Sequence, residues 1–276
     1  MKAYQHITDR IIRAIETEGL APWKKPWRTD SPRNVRGNVY RGINRLVLSI
    51  QPYADPRWLT FKQVSELGGK VRRGEHGTPV LFWTEVEDED APENKKRLLA
   101  RCYYVFNFEQ TEGLQLAPLS RPTDESLCST VEALASTMYP RVDVHRKGTA
   151  AYYSPIEDVV VIPRAELFDS AEAIEQTLAH ELIHATGHST RLARKEVCDP
   201  INFGSDPYAR EELVAELGAS FLTSDLGIAS NFEQSASYVA GWLKALKSDK
   251  SLIVKAASSA QTAVDYILAP LAGEVA

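Results

Sequence analysis

The hydrophobic positions of this chain switch between helical and alternating periods, and the switches outline its elements. Ile7, Ile11, Ile12 and Ile15 recur at helical spacing within residues 3 to 18, and Gly19 closes that helix. The following stretch, APWKKPWRTDSPRNVRGNVYRGINRLVLSI, loses the period. Two prolines there bracket a Trp-Lys-Lys segment that can be neither regular helix nor central strand. Leu46 to Ile50 resumes as a helix. WLTFKQVSELGG predicts a short helix ended by Gly68 and Gly69, then a basic turn and a strand from Pro79 to Trp83. The charged run TEVEDEDAPENKKR predicts a loop, and LLARCYYVFNF an aromatic-rich strand that pairs back as a hairpin.

Residues 116 to 126 carry two prolines and little periodicity, which predicts a boundary: one domain over 1–118, a linker over 119–126 and a second domain over 127–276. The second half opens with a helix over 126–138. RVDVHRKGTAAYYSPIEDVVVIP predicts two or three strands with turns at Lys147-Gly148 and Ser154-Pro155. SAEAIEQTLAHELIHATGH is a helix with Ser170 as N-cap and Gly187 at its end. After a loop rich in breakers, YAREELVAELGASFLTSDLG forms a second helix, and the rest supplies one or two more. The expected fold class is α+β in two domains. The second is expected to hold a small antiparallel sheet, the motif helix and a helical C-terminus.

Composition narrows the class. The chain has 276 residues, 43% hydrophobic and 25% charged, within the range of globular proteins. No apolar run is long enough to span a bilayer, and the N-terminus lacks the apolar core of a secretory signal. Cys102, Cys128 and Cys198 are odd in number and far apart, which predicts thiols, buried or semi-buried, in a reducing, cytoplasmic compartment. The net charge of −5 hides an asymmetry. Residues 1–83 hold fifteen Lys/Arg against seven Asp/Glu, a balance of +8; the remainder holds seventeen against thirty, a balance of −13. Such a split predicts an anion-binding front and an acidic rear.

The first chemical motif is HELIHATGH at residues 180–188, whose opening matches H-E-x-x-H. Residues four apart share a helix face, so His180 and His184 can both reach one ion. Glu181 projects about 100° away and can act as general base on a water without binding the metal. Zinc in such sites lowers the pKa of water to about 7. Catalytic zinc needs three protein ligands, so the third comes from elsewhere. The helix carrying EELVAE offers Glu211, Glu212 and Glu216. Glu212 is the preferred ligand, with Glu216 four residues on as an acid that orients a histidine, though the spacing leaves all three open. The longer H-E-x-x-H-x-x-G-x-x-H pattern is not met: position 190 is Thr, and His188 falls two residues early, where it helps end the helix.

The second motif is a basic aromatic front. Trp23, Trp27, Tyr40, Trp58, Phe61 and Trp83 are interleaved with Lys24, Lys25, Arg28, Arg33, Arg36, Arg41, Arg45, Lys62, Arg72 and Arg73. Single-stranded nucleic acid is bound by this mixture, bases stacking on rings while cations track phosphates. Phe61 and Trp83 are expected in the core; the expected binding residues are Trp23, Lys24, Lys25, Trp27, Arg28, Tyr40, Arg41, Asn44, Arg45, Lys62, Arg72 and Arg73. Nucleases and polymerases hold two ions by clustered carboxylates, and the basic half shows no such cluster.

These residues carry a family resemblance. PWKKPW, YRGINRLVLS, WLTFKQ, VRRGEHGTPVLFW and YYVFNFEQTEGL resemble the N-terminal domain of ArdC-type antirestriction proteins, itself similar to the front of TraC-type plasmid primases. AYYSPIEDVVVIP, TLAHELIHATGHSTRLAR, YAREELVAELGASFL and YVAGWLKALKSDK resemble the zincin-type metallopeptidase domain that follows in that family. The resemblance implies non-specific binding of single-stranded DNA and protection of incoming mobile-element DNA from host restriction. It also implies a zincin fold with His180 and His184 as ligands, Glu181 as base and a glutamate of EELVAE as third ligand. The Glu-x-x-Ala-Glu spacing from Glu212 resembles the Glu-x-x-Ala-Asn of ImmA/IrrE-type peptidases. The implied ion is Zn2+, with Mn2+ or Co2+ as alternatives. The implied partners are single-stranded DNA and a host restriction protein as peptidase target, with no membrane. The competing expectation is a DNA-binding protein whose metal is structural or regulatory.

Overall fold

A computed structural model of the chain describes residues 3–18, 30–87, 96–117, 131–199, 205–228 and 236–272. The isoleucine stripe forms helix α1 (Ala3–Glu18), and all four of its isoleucines are buried. Strand β1 (Arg33–Asn34), helix α2 (Gly42–Ser49), strand β2 (Arg57–Thr60) and helix α3 (Phe61–Glu66) follow. Thr60 starts α3 through a capping box with Gln63. Two-residue β3 (Lys70–Val71) precedes the long strands β4 (Thr78–Glu87) and β5 (Lys96–Asn107) of the hairpin, then β6 (Thr111–Glu112). The strands run further into the charged stretch than the expected loop allowed, because cross-strand pairing continues from Thr78↔Val105 to Glu87↔Lys96. The sheet order is β1-β2-β5-β4, with β1 and β2 parallel and the other pairs antiparallel.

The second half runs through α4 (Val131–Thr137), β7 (Asp143–Arg146), β8 (Tyr152–Ser154) and β9 (Val159–Ile162). It continues with α5 (Ala171–Thr186), α6 (Lys195–Cys198), α7 (Asp206–Asp225), α8 (Ala236–Ser248) and α9 (Leu252–Ala272). The architecture is α+β with two domains, as expected. One detail of the expected fold is corrected: the small sheet is mixed rather than antiparallel. Its order is β7-β9-β8, and β7 pairs β9 in parallel through the connection that contains β8. β8 is therefore an edge strand, and it packs against α5.

The two domains share one hydrophobic core. Ile7, Ile11 and Ile15 of α1 and Leu46 of α2 belong to the same buried cluster as Leu182, Leu217 and Val264. Helix α9 packs against α7, α2 and α5, so it links both domains. Polar ties reinforce the seam: Thr8 donates to the Lys250 carbonyl at 2.6 Å, and Lys250 reaches Asp9 at 2.7 Å. The expected linker over 119–126 lies outside the described residues. Among the described residues no helix is long and apolar enough to cross a membrane.

Candidate metal centre and nucleic-acid residues

Ser170 caps α5 by accepting from the Ala173 N–H, and the helix carries His180, Glu181 and His184 toward α7. The two helices are in close contact at Gly218, where an added Cβ would meet Ile183 at 2.8 Å. That contact lets α7 bring its acids up to the histidines. Gly187 ends α5 with an ordinary right-handed backbone, φ −77°, so its role is room rather than a left-handed turn. A Cβ there would meet Val197 at 2.5 Å and Arg194 at 2.9 Å.

His180, His184 and Glu212 point one donor atom each at a common centre. His180 Nε2 lies 3.2 Å from His184 Nε2 and 3.4 Å from one Glu212 oxygen, and His184 Nε2 lies 3.6 Å from the other. Zinc bonds of 2.0–2.1 Å in a tetrahedron set ligand atoms about 3.3 Å apart, so these separations are of the size such a site needs, with each imidazole meeting a different Glu212 oxygen. Two imidazole nitrogens this close need a cation or a proton between them. Behind each ring stands another carboxylate: Glu211 at 3.1 Å from His184 Nδ1 and Glu216 at 3.6 Å from His180 Nδ1. The three glutamates that the spacing left open thus have different surroundings. Glu212 faces both Nε2 atoms, whereas Glu211 and Glu216 fix the ring tautomers from behind.

Glu211 is held by a residue that sequence spacing did not single out. Arg194 donates to both of its oxygens, at 3.0 and 2.6 Å, and also to Thr186 Oγ1 and the Ile183 carbonyl. Although burial raises a carboxylate's pKa, His184 and Arg194 hold Glu211 below its ordinary value. Tyr208, at the start of α7, hydrogen-bonds Glu212, which is likewise lowered against its burial, chiefly by His180 and His184. Burial opposes a charge on His180, yet Glu212, Glu216 and Glu181 push it up to about 10 in the absence of metal. The site is built to hold positive charge.

Glu181 is set apart from this group. Burial raises its pKa, partly offset by the two histidines and by a hydrogen bond from the Tyr153 backbone N–H. Tyr153 lies on the edge strand β8, and its hydroxyl donates to Asp158 at 2.8 Å. Asp158 forms a two-pronged pair with Arg191, whose side chain is fully buried. This pair anchors the strand against the loop after α5. Beside the histidines is a cleft of about 640 Å³, lined in part by Tyr152, Tyr153, Ile156, His188, Tyr208 and Glu212. His188 turns its Nδ1 to Thr190 at 2.9 Å and stands outside the ligand group. Cys198, expected buried or semi-buried, is exposed at the cleft. Arg191 and Arg194 follow the motif directly in sequence, but spacing cannot tell a buried arginine from a solvated one.

The expected nucleic-acid residues fare differently where the structure describes them. Trp23, Lys24, Lys25, Trp27 and Arg28 lie outside the described residues. Arg45 is corrected to a structural role: it is 2% exposed and donates to Asp225, Ser31 and the Phe221 carbonyl. Its guanidinium also lies over the Phe221 ring, tying α2 to the end of α7. Asn44 is corrected likewise, since its amide exchanges two 2.7 Å hydrogen bonds with the Leu81 backbone and so braces the free side of β4. Arg41 pairs with Asp265 of α9, Lys62 with Glu66 and Arg72 with Glu75. Tyr40 packs beside Trp58, Val80 and Val105, and Arg73 is exposed. Phe61 and Trp83, expected in the core, are 62% and 50% exposed.

The comparisons with known proteins fall on the same two halves. Residues 1–106 match the N-terminal domain of the anti-restriction factor ArdC, and residues 130–259 match a zincin-like metallopeptidase domain. Two crystal structures of the antirestriction protein ArdC from plasmid R388 are similar over nearly the whole chain, each at 38% identity. The metal-free form gives a TM-score of 0.77 over 98% of both chains, and the Mn(II)-bound form 0.80 over 99% of both. The DNA primase TraC of Escherichia coli is 36% identical over 96% of this chain, which spans only 27% of that protein's length. The uncharacterized protein y4eC of Sinorhizobium fredii is 34% identical over 96% of this chain and 91% of its own.

Proposed function

The chain belongs to the ArdC antirestriction family, and on that premise we propose that it protects incoming mobile-element DNA from host restriction. In this reading it binds single-stranded DNA non-specifically through its N-terminal domain and carries a zinc-dependent peptidase-like site in its C-terminal domain. It works in the cytoplasm, and a host restriction protein is the peptide substrate. Priming, the activity named for the much longer TraC proteins, is not part of the proposal.

The observation that supports the peptidase half is the convergence of His180, His184 and Glu212, whose imidazole Nε2 atoms lie 3.2 Å apart and 3.4 and 3.6 Å from separate Glu212 oxygens, beside a buried glutamate. Zinc held there supplies Lewis acidity, and Mn2+ or Co2+ can supply the same. The chain's own part is positional. The Tyr153 N–H orients the Glu181 carboxylate, and burial lets Glu181 hold a proton more readily than a surface acid does. Glu211 and Glu216 keep both imidazoles turned with Nε2 inward. The cleft leaves an extended chain room to lie along β8.

A restriction-protection assay in cells, comparing the parent with Glu181→Gln, tests this reading. Loss of protection with full metal content supports catalysis. Undiminished protection by Glu181→Gln would make the metal structural and remove the peptidase half.

A further inference from the structure

Along an antiparallel strand with one face solvated, outward positions are ordinarily polar. The β4–β5 hairpin breaks that rule on both sides, with Phe82 and Tyr103 exposed on one face and Trp83 and Tyr104 on the other; of these two pairs only the first has its rings in contact. Residues directly opposite in an antiparallel pair share a face, and so do residues two apart along each strand. The pairs Thr78↔Val105, Val80↔Tyr103, Phe82↔Arg101 and Thr84↔Leu99 therefore lie on one face. Leu81, Trp83 and Glu85 lie on the other, where Leu81 and Cys102 join the core that includes α1. At its inner end the first face is covered, since Val80 and Val105 pack with Trp58, Leu48, Tyr40 and Tyr53. Further out it opens. Phe82 is 48% and Tyr103 43% exposed, their ring centroids 5.4 Å apart and their planes at 87°. Arg101 is exposed beside them, and no carboxylate occupies this face from Thr78 to Thr84 or from Leu99 to Val105.

We propose that this outer face, Phe82, Tyr103 and Arg101, is a base-stacking platform for single-stranded nucleic acid. The inference rests on the DNA-binding reading above and locates its contact surface. Exposed aromatic rings on a sheet face offer π-surfaces that accept any base, and an adjacent guanidinium can meet a phosphate or stack in turn. Perpendicular rings cannot sandwich one base, so each serves a different nucleotide. The absence of carboxylates among its strand residues from Thr78 to Thr84 and from Leu99 to Val105 distinguishes this face from a generic sticky patch. In an acidic chain of net charge −5, an acid-free aromatic face with an arginine matches a polyanion carrying flat apolar groups.

The test is fluorescence anisotropy of a labelled, unstructured oligothymidylate with the full-length protein across a salt series, with melting temperature and oligomeric state checked for every variant. Phe82→Ala and Tyr103→Ala are each expected to weaken binding about tenfold with the salt slope unchanged. Phe82→Leu, which keeps apolar bulk without a π-face, is expected to weaken it comparably, and Phe82→Trp to retain it. Arg101→Ala is expected to flatten the slope of log K against log salt by about 0.7. If the parent binds with a steep salt slope and all the variants bind as it does, the platform is overturned while DNA binding stands. If the parent does not bind, the DNA reading fails and takes the platform with it. If the alanine variants dissolve an oligomer without changing oligonucleotide affinity, a second copy occupies the face and the proposal is wrong.

Discussion

At the candidate metal centre, His180, His184, Glu212 and the acids behind the rings come from two helices, α5 and α7, at spacings of a few residues. On the hairpin face, Phe82, Tyr103 and Arg101 come from two strands and are neighbours only through register. The first arrangement is local within each helix, so the sequence states which residues are candidates. The second depends on which residue of β5 faces which residue of β4. Polar surroundings differ as well. The centre is crowded with carboxylates that hold His180 protonated when metal is absent. The hairpin face carries no carboxylate. One region gathers carboxylates and imidazoles that suit a cation, and the other presents its own arginine outward.

The largest expected effect concerns an arginine that sequence alone assigns to the wrong region. Arg45→Ala removes a buried guanidinium from Asp225 and should destabilise the protein by about 3 kcal/mol, measured by denaturant unfolding. Its salt slope for oligonucleotide binding should match the parent's. A stable variant with a reduced slope would return Arg45 to the nucleic-acid residues. Next, Glu211→Gln should keep the fold but weaken metal binding by about tenfold to a hundredfold in calorimetry, because His184 loses a charged support. Parent-like affinity would show that the acids behind the rings do not tune the site.

A smaller effect is expected at the helix contact. Gly218→Ala forces a methyl group against Ile183 and should cost about 1–2 kcal/mol, lowering the melting temperature and loosening the ligand group. If Gly218→Ala melts and binds metal as the parent does, the close approach of α5 and α7 does not set the geometry.

The last effect is a pH trend. His180 is raised from 6.5 to about 10 in the metal-free protein. A raised folded value means that its stabilisation is full below 6.5 and lost as the pH climbs through about 10. The metal-free protein should therefore melt at lower temperature as pH rises from neutral toward 10, and metal affinity should increase over the same range as the competing proton leaves. A metal-free melting temperature that rises over that range would contradict this. Hairpin variants should leave both trends untouched.

These contrasts mark what was legible in the residues. The α+β class, the helix over Ala171–Thr186 with its Ser170 cap and the shared face of His180 and His184 follow from periods and spacings. The separate surroundings of Glu211, Glu212 and Glu216 do not, because they depend on how α7 crosses α5. Arg191 and Arg194 were invisible as anchors, since burial of a charged side chain is a tertiary fact. Phe61 and Trp83 were expected inside because large rings usually are. Trp83 follows Phe82 directly, so in a strand the two must point to opposite faces, and only the tertiary packing leaves both exposed. The domain seam was also hidden, because the pairing of α2 with α9 joins residues more than two hundred positions apart.

Calorimetric titration of Mn2+ and of Zn2+ into chelator-stripped protein, parent against Glu212→Ala, tests the metal centre most directly. One ion per chain in the parent and no saturable binding in a folded Glu212→Ala variant is the expected result. One ion per chain at parent affinity in Glu212→Ala would contradict the assignment of His180, His184 and Glu212 as the ligand set.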